Sequence, residues 1–97
     1  MTRYIVLARF TDQGIRSVKD TTRRAAAVRD MASQFGVKVT DMYWTLGKYD
    51  IVLTLEAPDD AAITTFGLCV GAQGNVHTQM LRAFSATEMD AFIARMP

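Results

Sequence analysis

A chain of 97 residues with 11 basic and 10 acidic side chains, for a formal charge of +1, has no charge excess with which to hold a polyanion, so nucleic acid is not an expected partner. The length supports one hydrophobic core, making residues 1–97 one expected domain, and a domain this small covers only about 60–65% of its unfolded surface, which favours pairing with another copy. The lone cysteine, Cys69, leaves no internal disulfide and suits the cytoplasm, while no apolar run reaches the roughly 20 residues of a membrane span and the N-terminal run stops short of an export signal.

Thr2 to Phe10 alternates as a strand, with Tyr4, Val6, Ala8 and Phe10 on one face and Ile5 and Leu7 on the other; apolar side chains on both faces predict a central position. Thr11-Asp12-Gln13-Gly14 reads as a turn, and Asp20 or Thr21 then caps a helix whose inward stripe is Ala25, Val28, Ala32 and Phe35, stopped by Gly36. Val37 to Leu46 and Tyr49 to Ala57 form a hairpin, with Gly47-Lys48 as a two-residue turn. That turn predicts Trp44 opposite Ile51, Tyr43 opposite Val52, Met42 opposite Leu53 and Asp41 opposite Thr54. A slip of one residue would exchange the two faces, so burial pins this register. Pro58 ends the strand, Asp59 or Asp60 caps a second helix to about Val70 with Ile63, Phe66 and Val70 inward, and Gly71 and Gly74 close it. Asn75 to Phe84 is the fourth strand. Ser85-Ala86-Thr87-Glu88 then has the spacing of a capping box, opening a terminal helix expected to bury Met89, Phe92, Ile93 and Met96.

The order β-α-β-β-α-β plus a terminal helix predicts an α+β, ferredoxin-like fold with an antiparallel sheet in the order 4-1-3-2 and both main helices on one side. The Trp44, Ile51, Leu53 face goes to the helices. The opposite face is expected to carry Tyr43, Val52, Leu81, and Tyr4 or Ile5 with Val6. It is too apolar for water, so a second subunit is its expected cover, with Asp41, Asp50, Thr54, His77 and Gln79 as polar groups in the seam.

Several segments together resemble the bacterial GYD domain family: Tyr4-Ile5-Val6-Leu7, Phe10 to Gly14, Arg24, Tyr43 to Asp50, Ala57-Pro58-Asp59-Asp60, Gly74-Asn75-Val76 and Arg82-Ala83-Phe84. The resemblance covers nearly the whole chain. It implies kinship with the dimeric α+β barrels, and hence a homodimer or higher homo-oligomer enclosing a barrel-like space. Because that superfamily includes cofactor-independent monooxygenases, lactone isomerases, haem-binding enzymes and ligand-sensing modules, it implies architecture more than a reaction.

His77, the only histidine, is a candidate acid or base near neutral pH, and ligation of haem iron by it is implied only by the wider superfamily. Asp50 is the second candidate for proton transfer, weighed against a carboxylate that merely accepts backbone N–H groups near the turn. Tyr43, Tyr49, Thr54, Gln79 and Arg82 are candidate ligand-binding residues. Arg82 and Arg24 have either an anion or a salt bridge as partner, whereas Trp44 is assigned to packing. Gln13-Gly14 and Gly74-Asn75 lack the spacing of a phosphate loop, and Cys69 reads as a buried, inert thiol. No second histidine or cysteine cluster stands at ligand spacing, so no metal or other cofactor is expected. The leading expectation is therefore a homo-oligomer that binds a small apolar or aromatic molecule, either between helices and sheet or between sheets. The alternatives are a cofactor-independent isomerase or monooxygenase acting on a small carbonyl or phenolic compound, and a purely structural or sensing module.

Overall fold

In the computed structural model, which describes residues 1–97, β1 (Thr2–Phe10) lies between β3 (Ile51–Ala57) and β4 (Val76–Ala83), and β2 (Lys38–Trp44) flanks β3. The sheet is antiparallel throughout, in the order β2-β3-β1-β4, the expected order read from the other edge. The hairpin register is the expected one from Trp44↔Ile51 through Asp41↔Thr54; an irregularity between Val39 and Asp41 then shifts it by one residue, to Val39↔Leu55 and Lys38↔Glu56. The connection is wider than a two-residue turn. The strands stop at Trp44 and Ile51, and the last rung is Thr45 N–H to the Asp50 carbonyl at 2.8 Å.

α2 (Thr21–Gln34) and α3 (Asp60–Ala72) cover one face of this sheet. α2 contributes buried Ala32, with Val28 and Phe35 packed against the core, and ends at Gly36, whose φ of 71° suits a residue without a Cβ. Asp20 makes no cap bond and pairs with Arg23 instead. Asp59 does cap α3, accepting from the Ala62 amide at 2.8 Å, and Ile63, Phe66 and Val70 are buried as their spacing predicts. Leu55 and Phe66, 0% and 2% exposed, each contribute about 1.5–3 kcal/mol of burial.

The two faces of β1 are divided by its pairing with β3. Tyr4, Val6 and Ala8 are buried beside Leu53 and Leu55, so Tyr4 and Val6 belong to the core and only Ile5 and Leu7 face away from the helices. Apolar residues on both sides of β1 hide this division, which only the register with its neighbours fixes. The Tyr4 hydroxyl donates to Asp60 Oδ1 at 2.6 Å, tying the central strand to the start of α3. This bond, followed by burial, raises the Tyr4 pKa above its ordinary 10.0. The tyrosine is thus protonated more readily folded than unfolded, and its stabilisation is full below the ordinary value and lost as pH rises through the raised one. Tyr4→Phe is expected to cost about 1 kcal/mol in a neutral urea titration; an unchanged midpoint would count against the tie.

Thr11 to Gly14, expected as a turn, instead opens α1 (Asp12–Arg16), followed by a 3-10 turn at Val18–Asp20. The Thr11 hydroxyl both accepts from the Gly14 amide at 3.0 Å and donates to the Gly74 carbonyl at 2.5 Å. Gln13 Nε2 donates to the Gln73 carbonyl and to Asn75 Oδ1, each at 2.9 Å. Arg24 closes the hook from α2, donating to Ser17 and to the Gly14 carbonyl. The segments Thr11 to Gly14, Arg24 and Gly74-Asn75 are therefore one structural lock.

α4 (Ala86–Ile93) begins with the expected capping box: Glu88 N–H donates to Ser85 Oγ at 3.1 Å and Ser85 N–H to Glu88 Oε1 at 3.0 Å. That amide, then the Ser85 hydroxyl, holds the Glu88 carboxyl below its usual range, with Arg82 and Arg3 adding to the effect. The expected burial of α4 does not occur within the chain. No residue of it is buried, and Met89, Phe92, Ile93 and Met96 are exposed, because its only aromatic anchor is the edge-on contact of Phe92 with Phe84 at 5.1 Å. The radius of gyration is 14.8 Å and the extents are 52 × 31 × 18 Å, against about 12.5 Å for a compact chain of this length.

Candidate functional site

Strand alternation and register together lay out the face opposite the helices in rows across β2, β3, β1 and β4. One row is Tyr43, Val52, Leu7 and Gln79, and the next is Asp41, Thr54, Ile5 and Leu81. Tyr43 is 63% and Leu81 38% exposed. A following row of Lys38, Glu56, Arg3 and Ala83 sets Glu56 between two bases. At the opposite end, Arg9 stands beside His77.

That Arg9–His77 end is concave. Leu7, Arg9, Lys48, Tyr49, His77 and Gln79 line an open hollow of about 280 Å³, and no carboxylate is among its walls. The Tyr49 hydroxyl bonds Gln79 Oε1 at 3.1 Å, and Lys48 Nζ lies 5.8 Å from the Tyr49 ring centre, a cation–π distance. Three candidate residues, Tyr49, His77 and Gln79, thus meet in one place. Arg9 and Lys48 escaped sequence reasoning, although a charged residue following Ile5 and Leu7 on one face of β1 was the available signal.

The other candidates lie elsewhere. Tyr43 and Thr54 share the open face but not the hollow, and Thr54 Oγ1 bonds Thr40 and donates to Asp41 Oδ2 at 3.1 Å. Asp50 accepts from the Phe10 amide at 2.8 Å while its own N–H donates to the Ala8 carbonyl at 2.9 Å. Its carboxylate therefore clamps the hairpin to the end of β1 and is absent from the hollow. Arg82 belongs to the other face: its guanidinium lies 4.5 Å from the Phe84 ring centre and donates to the Ala83 and Arg3 carbonyls. Trp44 is also on the helix side, donating to Thr21 Oγ1 at 3.0 Å. Cys69 on α3 is partly exposed.

Between the sheet and the two main helices there is a second, mainly apolar cavity of about 70 Å³, lined by Val6, Val28, Met42, Ile51, Phe66 and Met80 among others. Small-molecule sites commonly measure about 300–1,000 Å³. The interior is thus far below that range, while the hollow on the open face approaches its lower end. No helix is long and apolar enough to cross a membrane.

Comparison with known proteins agrees with this architecture. The crystal structure of MtbAldR superposes with a TM-score of 0.68 at 14% identity, covering 87% of this chain; this chain spans about half, 53%, of that longer protein. TTHA0845 from Thermus thermophilus gives a TM-score of 0.56 at 22% identity, covering 89% of this chain and 96% of its own. At these identities the likeness concerns the fold. A Thermus thermophilus protein named glutamine synthetase and cystathionine beta-lyase binding protein is 34% identical over 92 residues, 94% of this chain and 97% of the relative. The GYD domain model matches residues 4–93, and with the shared fold and the relative's near-complete coverage it follows that the chain belongs to the GYD domain family.

Proposed function

We propose that this chain is a homodimeric docking module that attaches to a larger metabolic enzyme. The observation that carries this reading is that two separate apolar surfaces stay uncovered, the open sheet face and α4, while the interior leaves only about 70 Å³. Four strands of this length make a face of about 400 Å², in the range of patches that mark interaction sites. Its charge is uneven, with Arg9 and Lys48 at one end and, towards the other, Asp41 and a Glu56 that stands between Lys38 and Arg3. A second copy related by a two-fold rotation covers this face with the same apolar rows, Val52, Leu7, Ile5 and Leu81.

α4 serves the enzyme. An eight-residue helix is shorter than the about 12–15 residues at which isolated helices become marginally stable, so its apolar side gains order by seating in a groove of another protein. Met89 and Met96 beside Phe92 and Ile93 suit that role, because methionine adapts to more than one surface. The relative's name, with its two enzymes, supports the reading. Purified glutamine synthetase and cystathionine β-lyase from the same cell are the partners to test by sedimentation velocity. Phe92→Asp is expected to abolish the complex and leave the homodimer mass unchanged; binding retained by this variant, or no complex with either enzyme, would sink the docking role.

A second reading is favoured by one observation, the meeting of Tyr49, His77 and Gln79 around the hollow: this site holds a small molecule, enclosed at the seam when the second copy is in place. Turnover by His77 with Asp50 has less support. Asp50 is engaged with the Phe10 amide, and no carboxylate lines the hollow to orient His77.

A further inference from the structure

We propose that the hollow at the Arg9–His77 end selects a small organic anion, its oxyanion head held by Arg9 and Lys48 and its apolar body lying on Leu7. This deepens the small-molecule reading and rests on it.

Two basic side chains, Arg9 and Lys48, share one concavity, and neither has an acidic partner there. The two ion pairs of the molecule are Arg3–Glu88 and Arg23–Asp20, and the walls of the hollow include no acid. The rest of the open face contrasts with this, since Glu56 sits between Arg3 and Lys38. Arg9 offers a planar fork matched to an oxyanion. The Tyr49 ring holds the Lys48 ammonium nearby at 5.8 Å. Gln79 Oε1 accepts from Tyr49, which leaves the N–H donors of that side chain available to an oxyanion. Arg9, Lys48 and the Gln79 amide thus supply positive charge and N–H donors, with no carboxylate among the walls to oppose them. A ligand ammonium has no counter-ion among these walls, so an amine is excluded and a zwitterionic amino acid is disfavoured relative to the acid lacking its amino group. Beyond the head group, Leu7 leads to Val52, Ile5 and Leu81 along the sheet, a surface that accepts a hydrocarbon or an aromatic ring.

Titration of the full chain by NMR with benzoate, phenyl phosphate, benzyl alcohol and benzylamine tests this. Benzoate or phenyl phosphate is expected to shift the amides of Arg9, Lys48, Tyr49 and His77 saturably, and the better of the two distinguishes a carboxylate from a phosphate head. Benzyl alcohol is expected to bind at least about tenfold more weakly, and benzylamine not to bind. Arg9→Gln with Lys48→Gln is expected to weaken the anion by about 10- to 100-fold while the dispersed spectrum reports an intact fold. Equal binding of alcohol and anion, or anion binding indifferent to the double substitution, overturns the charge selection and leaves the small-molecule reading standing. If none of the four binds, both fall.

Discussion

Gly14→Ala is expected to cost about 2–4 kcal/mol, the scale of a badly overpacked core position, and to lower the melting temperature by about 10 °C or more, since each 1 kcal/mol moves a domain of this size by about 4–8 °C. A Cβ at position 14 would stand 2.0 Å from the Asn75 carbonyl oxygen and 2.9 Å from its carbon, both backbone atoms. No rotamer relieves such a contact. The backbone must move, and here it is held by Thr11 N–H to the Asn75 carbonyl at 3.1 Å, by the Thr11 hydroxyl on Gly74 and by Gln13 on both sides of the turn. Gly71→Ala is the control: it lies within α3, nothing stands within 4 Å of the added carbon, and helix propensity predicts a gain of up to about 1 kcal/mol. Calorimetry of the two variants measures the difference directly, and equal melting temperatures would show that the hook does not lock the β1 and β4 ends together.

Ile5→Asp is expected to convert the proposed homodimer to monomers without unfolding them. Ile5 sits mid-face between Thr54 and Leu81 and is partly exposed within one chain, so a lone molecule keeps its new carboxylate in water. In the proposed dimer the two-fold axis repeats the substitution, and each uncompensated buried charge costs about 3–5 kcal/mol, enough to weaken association by about three orders of magnitude or more. Light scattering after size exclusion would show the mass halved, with the circular dichroism retained. A mass equal to that of the parent chain would remove the sheet face as the dimer surface, whatever α4 does.

The residues differed in how openly they announced their places. The Trp44↔Ile51 to Asp41↔Thr54 pairing was legible because alternation admits only two registers and one of them buries Met42, Ile51 and Leu53 together. Ser85 and Glu88 were legible because a capping box is local. The α1 hook was not, since five residues are too few to display a helical period. Tyr4 and Val6 could not be assigned to a side from an apolar strand alone. Of the site, Tyr49, His77 and Gln79 were nominated individually, but the adjacency of Arg9 to His77 depends on the β1–β4 register, contacts between opposite ends of the chain that no short window contains. For α4, amphipathic spacing announced a need for cover without naming the molecule that supplies it.

The irregularity at Thr40 bears on how one rim of the sheet is guarded. β2 is an outer strand whose free side would otherwise present a straight ladder of unpaired N–H and C=O groups, the template on which fibrils grow. The extra residue between Val39 and Asp41 breaks that ladder, and the Thr40 hydroxyl turns back to the Thr54 carbonyl at 3.0 Å, so the rim is kinked and tied inward. Lateral stacking into ribbons through this edge is thereby discouraged.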